Sequence, residues 1–518
     1  MRARHVAVVA LLIGLVVLAL PVETGLFTVA DDHATSVDSI ETSGSLESNA
    51  MQSAPPDPNT DTLGWESGYW YNESITVDQS DGLSESELDA FLARSMARVE
   101  HIRRLEFTEQ VEIEFVRPEN LDPPRNDTFG LTSNEQLWEA LFFYGESTNA
   151  SRAIQRAQQG GVLGFAAEEG SDRIVIVGDP SKPTVDGATM IHELAHMLQD
   201  QQFDLQQQRY RHSTLDGEFA KDGLVEGEAA YITERYRQNC QDGWNCVDNP
   251  TSGNNADRTA TFRFYRFTYF PYAAGEVYVR TLFGNGGWTA INDAHTQLPT
   301  STATVIHPGR PDEPSNQSFT DRSRNGWNRI ENDTVGEAGI YTLFWRQSAS
   351  DSPIREENLS RSDSSADVYN YVSRPSSGWR SDGLYTYAKG DKRGYVWKTS
   401  WDSERDAREF RNAYIEILET EGATKQGVHT WRINNGAFAD AFSVRRTGTT
   451  VTIVNGPTID ALDDIDSKAD ATTEEQSTHT TNTEDTTTTT TTTSGPGFGG
   501  LIAIAGIVLL SVMLQPRQ

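Results

Sequence analysis

The chain has 518 residues, with 75 Asp plus Glu against 43 Lys plus Arg, and a formal net charge of −32 at pH 7. A surface so negative repels a phosphate backbone, which excludes nucleic acid as a partner. The length leaves room for two lobes, while two cysteines are too few for a disulfide scaffold or a four-sulfur zinc site.

At the N-terminus, Arg2, Arg4 and His5 precede an apolar run from Val6 to Leu20. This order of charge and hydrophobicity is that of a signal peptide or N-terminal anchor over residues 1–30, the run being short of the about 20 residues a spanning helix needs. Residues 31–60, rich in Ser, Asp, Thr and Pro, read as a flexible spacer. The folded part is expected over 61–456, divided into a first lobe (61–310) and a smaller C-terminal lobe (311–456), both α+β.

In the first lobe, Leu83 to Ile102 has helical spacing and Val111 to Val116 has strand character. Arg173 to Val177 is a β-branched strand that ends at the turn Gly178-Asp179-Pro180, with a free edge able to pair with an extended peptide. Met190 to Phe203 reads as a helix, a polar stretch runs through Gln206-Gln207-Gln208, and a second helix is expected from Gly223 to Arg237. Cys240 and Cys246 flank five residues and are expected to form a local disulfide outside the cell, the alternative being a reduced pair. The aromatic segment Phe262 to Tyr272 reads as core.

The second lobe offers strands at Tyr395–Trp401 and Thr450–Val454 around a helix from Glu404 to Glu421. It carries no chemical constellation, so packing or substrate capture is its default role. Residues 457–495 form a Thr/Asp-rich stalk with a threonine run from Thr486 to Thr493. The tail, 496–518, contains Pro496-Gly497-Phe498, an apolar stretch from Gly499 to Leu514, and Arg517. Sequons at Asn72, Asn126, Asn149, Asn316, Asn332 and Asn358 suit an exported glycoprotein.

The residues that carry chemistry are His192-Glu193-Leu194-Ala195-His196. Two histidines four apart share one helical face, so both imidazoles can reach one Zn2+ ion. Glu193 stands beside that face, where it can accept a proton from a water activated by the metal without being a ligand. A third ligand can come from the second helix, in which Glu226 and Glu228 are both candidates. Two residues apart, they point to different faces, so only one can serve.

This pattern resembles the gluzincin branch of zinc metallopeptidases, in which a His-Glu-x-x-His helix is followed by a helix with a ligand glutamate, often in a Glu-Gly pair near Ala and Tyr. Glu226-Gly227, close to Ala229, Ala230 and Tyr231, matches that context. The resemblance implies a zincin-like core, an active-site helix packed on a small mixed sheet, with His192, His196 and Glu226 as metal ligands, Glu193 as general base, and a peptide or protein substrate. In thermolysin-like members an aspartate that orients a zinc histidine stands where this chain has Ala230, so that carboxylate must come from elsewhere; Asp200, four residues after His196, is the candidate. Gly286-Gly287-Trp288 and Ser301 to Pro308 resemble segments of haloarchaeal cell-surface metallopeptidases, a source that also suits the acidic composition. There His307 is a candidate catalytic donor to the oxyanion, with His212 and Tyr231 as weaker candidates, and a structural histidine as the alternative. The Pro-Gly-Phe, apolar and arginine order resembles the sorting signal read by archaeosortases, the alternative being a plain C-terminal transmembrane helix. Either implies a membrane-anchored chain on the cell surface. The competing reading is a non-catalytic glycosylated surface protein whose metal helix is structural or vestigial. A second competitor uses the same zinc chemistry on a non-peptide amide such as a cell-wall component.

Overall fold

The computed structural model describes residues 55–117, 120, 135–150, 152–153, 164–166, 172–250, 268–310, 318–346 and 371–469. The signal segment, the spacer up to residue 54, Phe262 to Phe267, the stalk from residue 470 and the sorting tail lie outside the described residues. Among the described residues no helix is long and apolar enough to cross a membrane.

Strands β1 (Trp65–Glu66) and β2 (Tyr69–Trp70) make a small antiparallel ribbon beside helix α1 (Glu85–Arg103). A capping box starts α1: the Ser84 side chain accepts from the Glu87 backbone while the Glu87 carboxylate takes the Ser84 N–H. Next come β3 (Glu112–Val116), the short helix α2 (Glu135–Ala140), β4 (Gly164–Ala166) and β5 (Arg173–Val177). They form a mixed sheet of order β3-β5-β4, with β3 parallel and β4 antiparallel to β5. The free edge expected on Arg173–Val177 is therefore absent. That strand is central, because its β-branched residues bury Ile174 and Ile176 between neighbours, and the edges are β3 and β4.

Helix α3 (Gly187–Phe203) begins at Asp186, whose Oδ1 accepts from the Thr189 N–H at 2.8 Å. Helix α4 (Leu215–Gln241) starts well before the expected Gly223. Its first turns hide their periodicity because Glu218, Lys221 and Asp222 are buried as an ion-paired group, with Lys221 Nζ 2.7 Å from Glu218 and 2.8 Å from Asp222. Helix α5 (Phe270–Thr296) is kinked at Gly286 and Gly287, and α6 (Thr302–Ile306) follows. Cys240 and Cys246 are joined in a disulfide with Cα atoms 5.8 Å apart.

The remainder is a seven-stranded antiparallel sheet of order β6-β7-β8-β12-β11-β10-β9. Its strands are β6 (Asn328–Asp333), β7 (Trp379–Lys389), β8 (Lys392–Trp401), β9 (Thr424–Lys425), β10 (Thr430–Arg432), β11 (Ala441–Thr447) and β12 (Thr450–Gly456). Three helices accompany it: α7 (Gly336–Arg346), α8 (Glu404–Thr420) and α9 (Ile459–Ile465). The whole is α+β. The boundary expected between 310 and 311 does not separate two cores, because Leu137, Leu224, Phe270 and Val305 pack in one cluster with Ile340, Trp397, Trp401 and Phe442. The C-terminal element also runs past 456, since Leu462 and Ile465 of α9 bury against Val396 and Val454. A second core holds α1, β5 and α3 together. Helix α4 is common to both, giving Phe219 and Leu224 to the first and Ala229, Ile232 and Tyr236 to the second.

Candidate metal centre

The placement of the site follows from how α4 is gripped. On one side it packs on α3; on the other, α5 crosses it at glycines. A Cβ on Gly227 would overlap the Gly275 backbone, and one on Gly275 would overlap the Gly223 carbonyl, so the two helices touch backbone to backbone. The Glu-Gly pair thus has a local reason: Gly227 admits α5, and the preceding Glu226 faces α3. The same close approach sets Tyr272, one turn before Gly275, over the site.

His192, His196 and Glu226 converge there. His192 Nε2, His196 Nε2 and Glu226 Oε2 form a triangle with every side 3.2 Å. Three ligands of a tetrahedral zinc with bonds of about 2.0–2.1 Å lie about 3.3–3.4 Å apart, so the triangle has the size of one face of such a polyhedron. Hydrogen bonds alone serve this arrangement poorly. With both Nε2 atoms protonated two hydrogens oppose each other, and with one protonated a contact lacks its proton; a metal satisfies all three donors. The residues therefore fit zinc, and no fourth protein ligand joins the group among the described residues. Three ligands with an open position is the catalytic rather than the structural pattern.

The electrostatics are those of a dry, charged pocket. Burial pulls His192 below the usual imidazole range, the Glu226 hydrogen bond opposing it. Burial pulls on His196 too, but the charge and hydrogen bond of Glu226 and the charge of Glu193 outweigh it and raise the imidazole to about 9. Burial would raise Glu226; the facing histidines instead hold it well below the carboxylate range. Glu193 is itself buried, near enough to act on His196 and on Tyr272.

Sequence reasoning missed the groups that orient this centre. His196 Nδ1 is 2.9 Å from Gln199 Oε1, and Gln199 Nε2 donates to the Val225 carbonyl at 3.0 Å and to Glu228 Oε2 at 2.7 Å. Glu228 is held in turn by Arg103 and by His295, whose Nε2 lies 2.6 Å away, with the Tyr210 hydroxyl 2.9 Å from His295 Nδ1. Burial would raise Glu228, but Arg103 and His295 keep it at about 2. Glu228, unused as a ligand, thus does through Gln199 what the carboxylate missing at Ala230 does elsewhere. Asp200 does not take that place: its Oδ1 accepts from the Leu205 N–H at 2.9 Å and finishes the helix. His192 Nδ1 has no hydrogen-bond partner among the described residues.

His307 is not brought to the triad. Its Nε2 lies 3.0 and 3.1 Å from the two carboxylate oxygens of Glu337, so it serves as the partner of a buried acid between α6 and α7. His212 packs over Gly217 in the first turn of α4, and Tyr231 packs against the rings of Phe283 and Trp288. The aromatic at the centre is Tyr272, whose ring lies 5.9 Å from that of His192 and 29° from parallel. Its hydroxyl is buried beside Glu226, and burial, the charges of Glu226 and Glu193 and a hydrogen bond to Glu226 push its ionisation well above the usual phenol range. It is a neutral donor held at the edge of the triad.

Residues 320–466 match a family model described as Domain of unknown function (DUF8575). That segment takes in all seven strands of the large sheet and helices α7 to α9, and none of the triad. No curated protein and no solved structure matches the chain.

Proposed function

We propose that the protein is a zinc-dependent peptidase of gluzincin type, acting on peptide or protein substrates. The observation that carries this reading is the 3.2 Å triangle of His192, His196 and Glu226 with Glu193 on the same helix and no fourth protein ligand among the described residues. Zinc held by these three side chains would supply a Lewis acid and make water nucleophilic at neutral pH. Glu193 takes the proton of the attacking water and delivers it to the leaving amine nitrogen. Tyr272 donates its hydroxyl proton as a hydrogen bond to the oxygen on which negative charge develops, the part first given to His307. An extended substrate pairs with β4, an edge strand that lies against α3.

The work is done outside the cell, on a chain carried to the membrane by its terminal segments and processed at residues 496–518 by an archaeosortase. The Cys240–Cys246 disulfide supports an oxidising compartment. The experiment is metal analysis of the folded chain loaded with zinc in high salt. About one zinc per chain is expected, and none in the Glu226→Ala variant; a chain that takes up no zinc would remove the basis for the reading.

A further inference from the structure

Far from the triad along the chain, three more acidic side chains converge. Glu139 at the end of α2, Glu146 in the loop after it, and Asp440 just before β11 each bring a carboxylate oxygen within 4.8 Å of the others. Glu139 and Asp440 are only 2% and 4% exposed, while Glu146 opens to solvent. Two negative groups so deeply buried would ordinarily be paired with a cation. Among the described residues no Lys or Arg nitrogen lies within ion-pair distance of any of the three.

Two buried oxygens at the group lack a donor among the described residues. Glu139 Oε2 takes a 3.4 Å contact from Gln136 Nε2, its buried Oε1 has no N–H or hydroxyl donor among the described residues, and the carboxyl group lies within hydrogen-bond reach of that of Asp440. Asn455, fully buried on β12, donates from Nδ2 to Asp440 Oδ2 at 2.9 Å, and its Oδ1 likewise has no partner. A half-turn of that amide sets a fourth oxygen toward the group.

The cluster rests on a rigid frame. Phe142, between the two glutamates, adopts a left-handed backbone (φ 56°), an uncommon conformation for a bulky residue. Its buried ring is 4.9 Å from that of Phe438 and 6.1 Å from that of Phe442. Gly145 meets the Ala437 backbone so closely that a Cβ there would overlap it. The loop after α2 is thus clamped to the connection between β10 and β11, with acids contributed from both sides.

We propose that Glu139, Glu146 and Asp440 bind a divalent cation of calcium type that ties the α2 loop to the large sheet. All-oxygen donors select hard cations, and calcium accepts the irregular, partly hydrated coordination that a site open on the Glu146 side provides. The ion neutralises acids whose positive neighbours, Arg393 for Glu146 and Arg432 for Asp440, act only from beyond ion-pair distance. It also joins residues on either side of the boundary of the family-matched segment, since Asp440 and Asn455 lie inside 320–466 and both glutamates outside it. This proposal does not depend on the peptidase reading.

The test uses the full zinc-loaded chain at pH 8 in molar KCl, freed of calcium, with calcium as the probe. Added calcium is expected to raise the melting temperature in proportion to the logarithm of its concentration, with magnesium much weaker. Terbium in its place should show tyrosine- or tryptophan-sensitised emission that calcium displaces. Glu139→Gln should abolish both responses. Should that variant fail to fold, Glu146→Gln at the exposed edge is expected to fold and to lower calcium affinity at least about tenfold. In a His192→Ala background the calcium response should persist, which separates this site from the triad. A melting temperature indifferent to calcium, with Glu139→Gln as stable as the parent, would mean that the acids share protons instead and would overturn the proposal.

Discussion

The two clusters of ligand-type side chains differ in donor chemistry and in how the chain assembles them. The first joins two imidazole nitrogens to one carboxylate, all on two neighbouring helices, and its 3.2 Å sides have the dimensions of a zinc coordination face. The second is all carboxylate, drawn from the end of α2, the loop after it and a distant sheet connection, more loosely spaced and open on one side. Borderline-soft nitrogen with one oxygen suits zinc, and oxygen alone suits calcium. One protein therefore offers an internal control: what disturbs one site should leave the other alone.

The largest effect expected is on zinc itself. Glu226→Ala removes the only oxygen of the triad and leaves two histidines, so zinc affinity should fall by more than the about 10–100-fold typical of losing an outer partner. Titration against a competing chelator measures this, and the calcium-dependent melting shift should be unchanged. Tyr272→Phe should next lower kcat by about 10²–10³-fold with zinc content unaltered, the scale of losing one donor to a developing oxyanion. A loss confined to KM would argue instead for a packing role.

Gln199→Leu leaves His196 Nδ1 without its acceptor and Glu228 without one of its donors, and zinc affinity should fall by about 10–100-fold. The same change at Asp200 should be milder, because that carboxylate serves the end of α3. The smallest effect is a matter of protons. His196 stands at about 9 in the metal-free protein, above the about 6.5 of an unfolded histidine. Its pairing with Glu226 thus stabilises the metal-free fold fully below about pH 6.5, and that contribution is lost as pH rises through 9. Zinc must displace the proton, so binding near neutral pH should release about one proton and apparent affinity should rise with pH up to about 9. Calorimetry in buffers of different ionisation enthalpy counts that proton.

The contrast also explains what could be read from sequence. His192, Glu193 and His196 are legible because helical spacing alone puts them on one side of α3, and Glu226 only through the resemblance of its Glu-Gly pair, whose glycine the structure shows to be required where α5 crosses. Gln199 was passed over because a neutral amide announces no chemistry, yet it is the link to Glu228. Tyr272 belongs to an aromatic run that reads as core, and only the crossing at Gly275 turns it to the triad. His307 misled for the opposite reason, since nothing local tells that Glu337 from the next helix occupies it. Glu139 and Asp440 are beyond any local pattern.

In the fold, β8 and β12 were legible from their β-branched and aromatic residues. Strand β7 was not, because Ser381, Asp382 and Gly383 interrupt it. Asp382 is nevertheless central to the packing: it accepts from the backbone of Val335 and Gly336 and from the indoles of Trp379 and Trp397. A buried acid serving four donors looks, in sequence, like a turn.

The most direct test is hydrolysis of an unfolded polypeptide by the zinc-loaded protein and its Glu193→Gln variant in high salt, with zinc measured on the same samples. Chelator-sensitive cleavage by the parent is expected, together with its loss in the variant at undiminished zinc content. Cleavage that survives Glu193→Gln, or a fully zinc-loaded parent with no hydrolytic activity, would contradict the assignment.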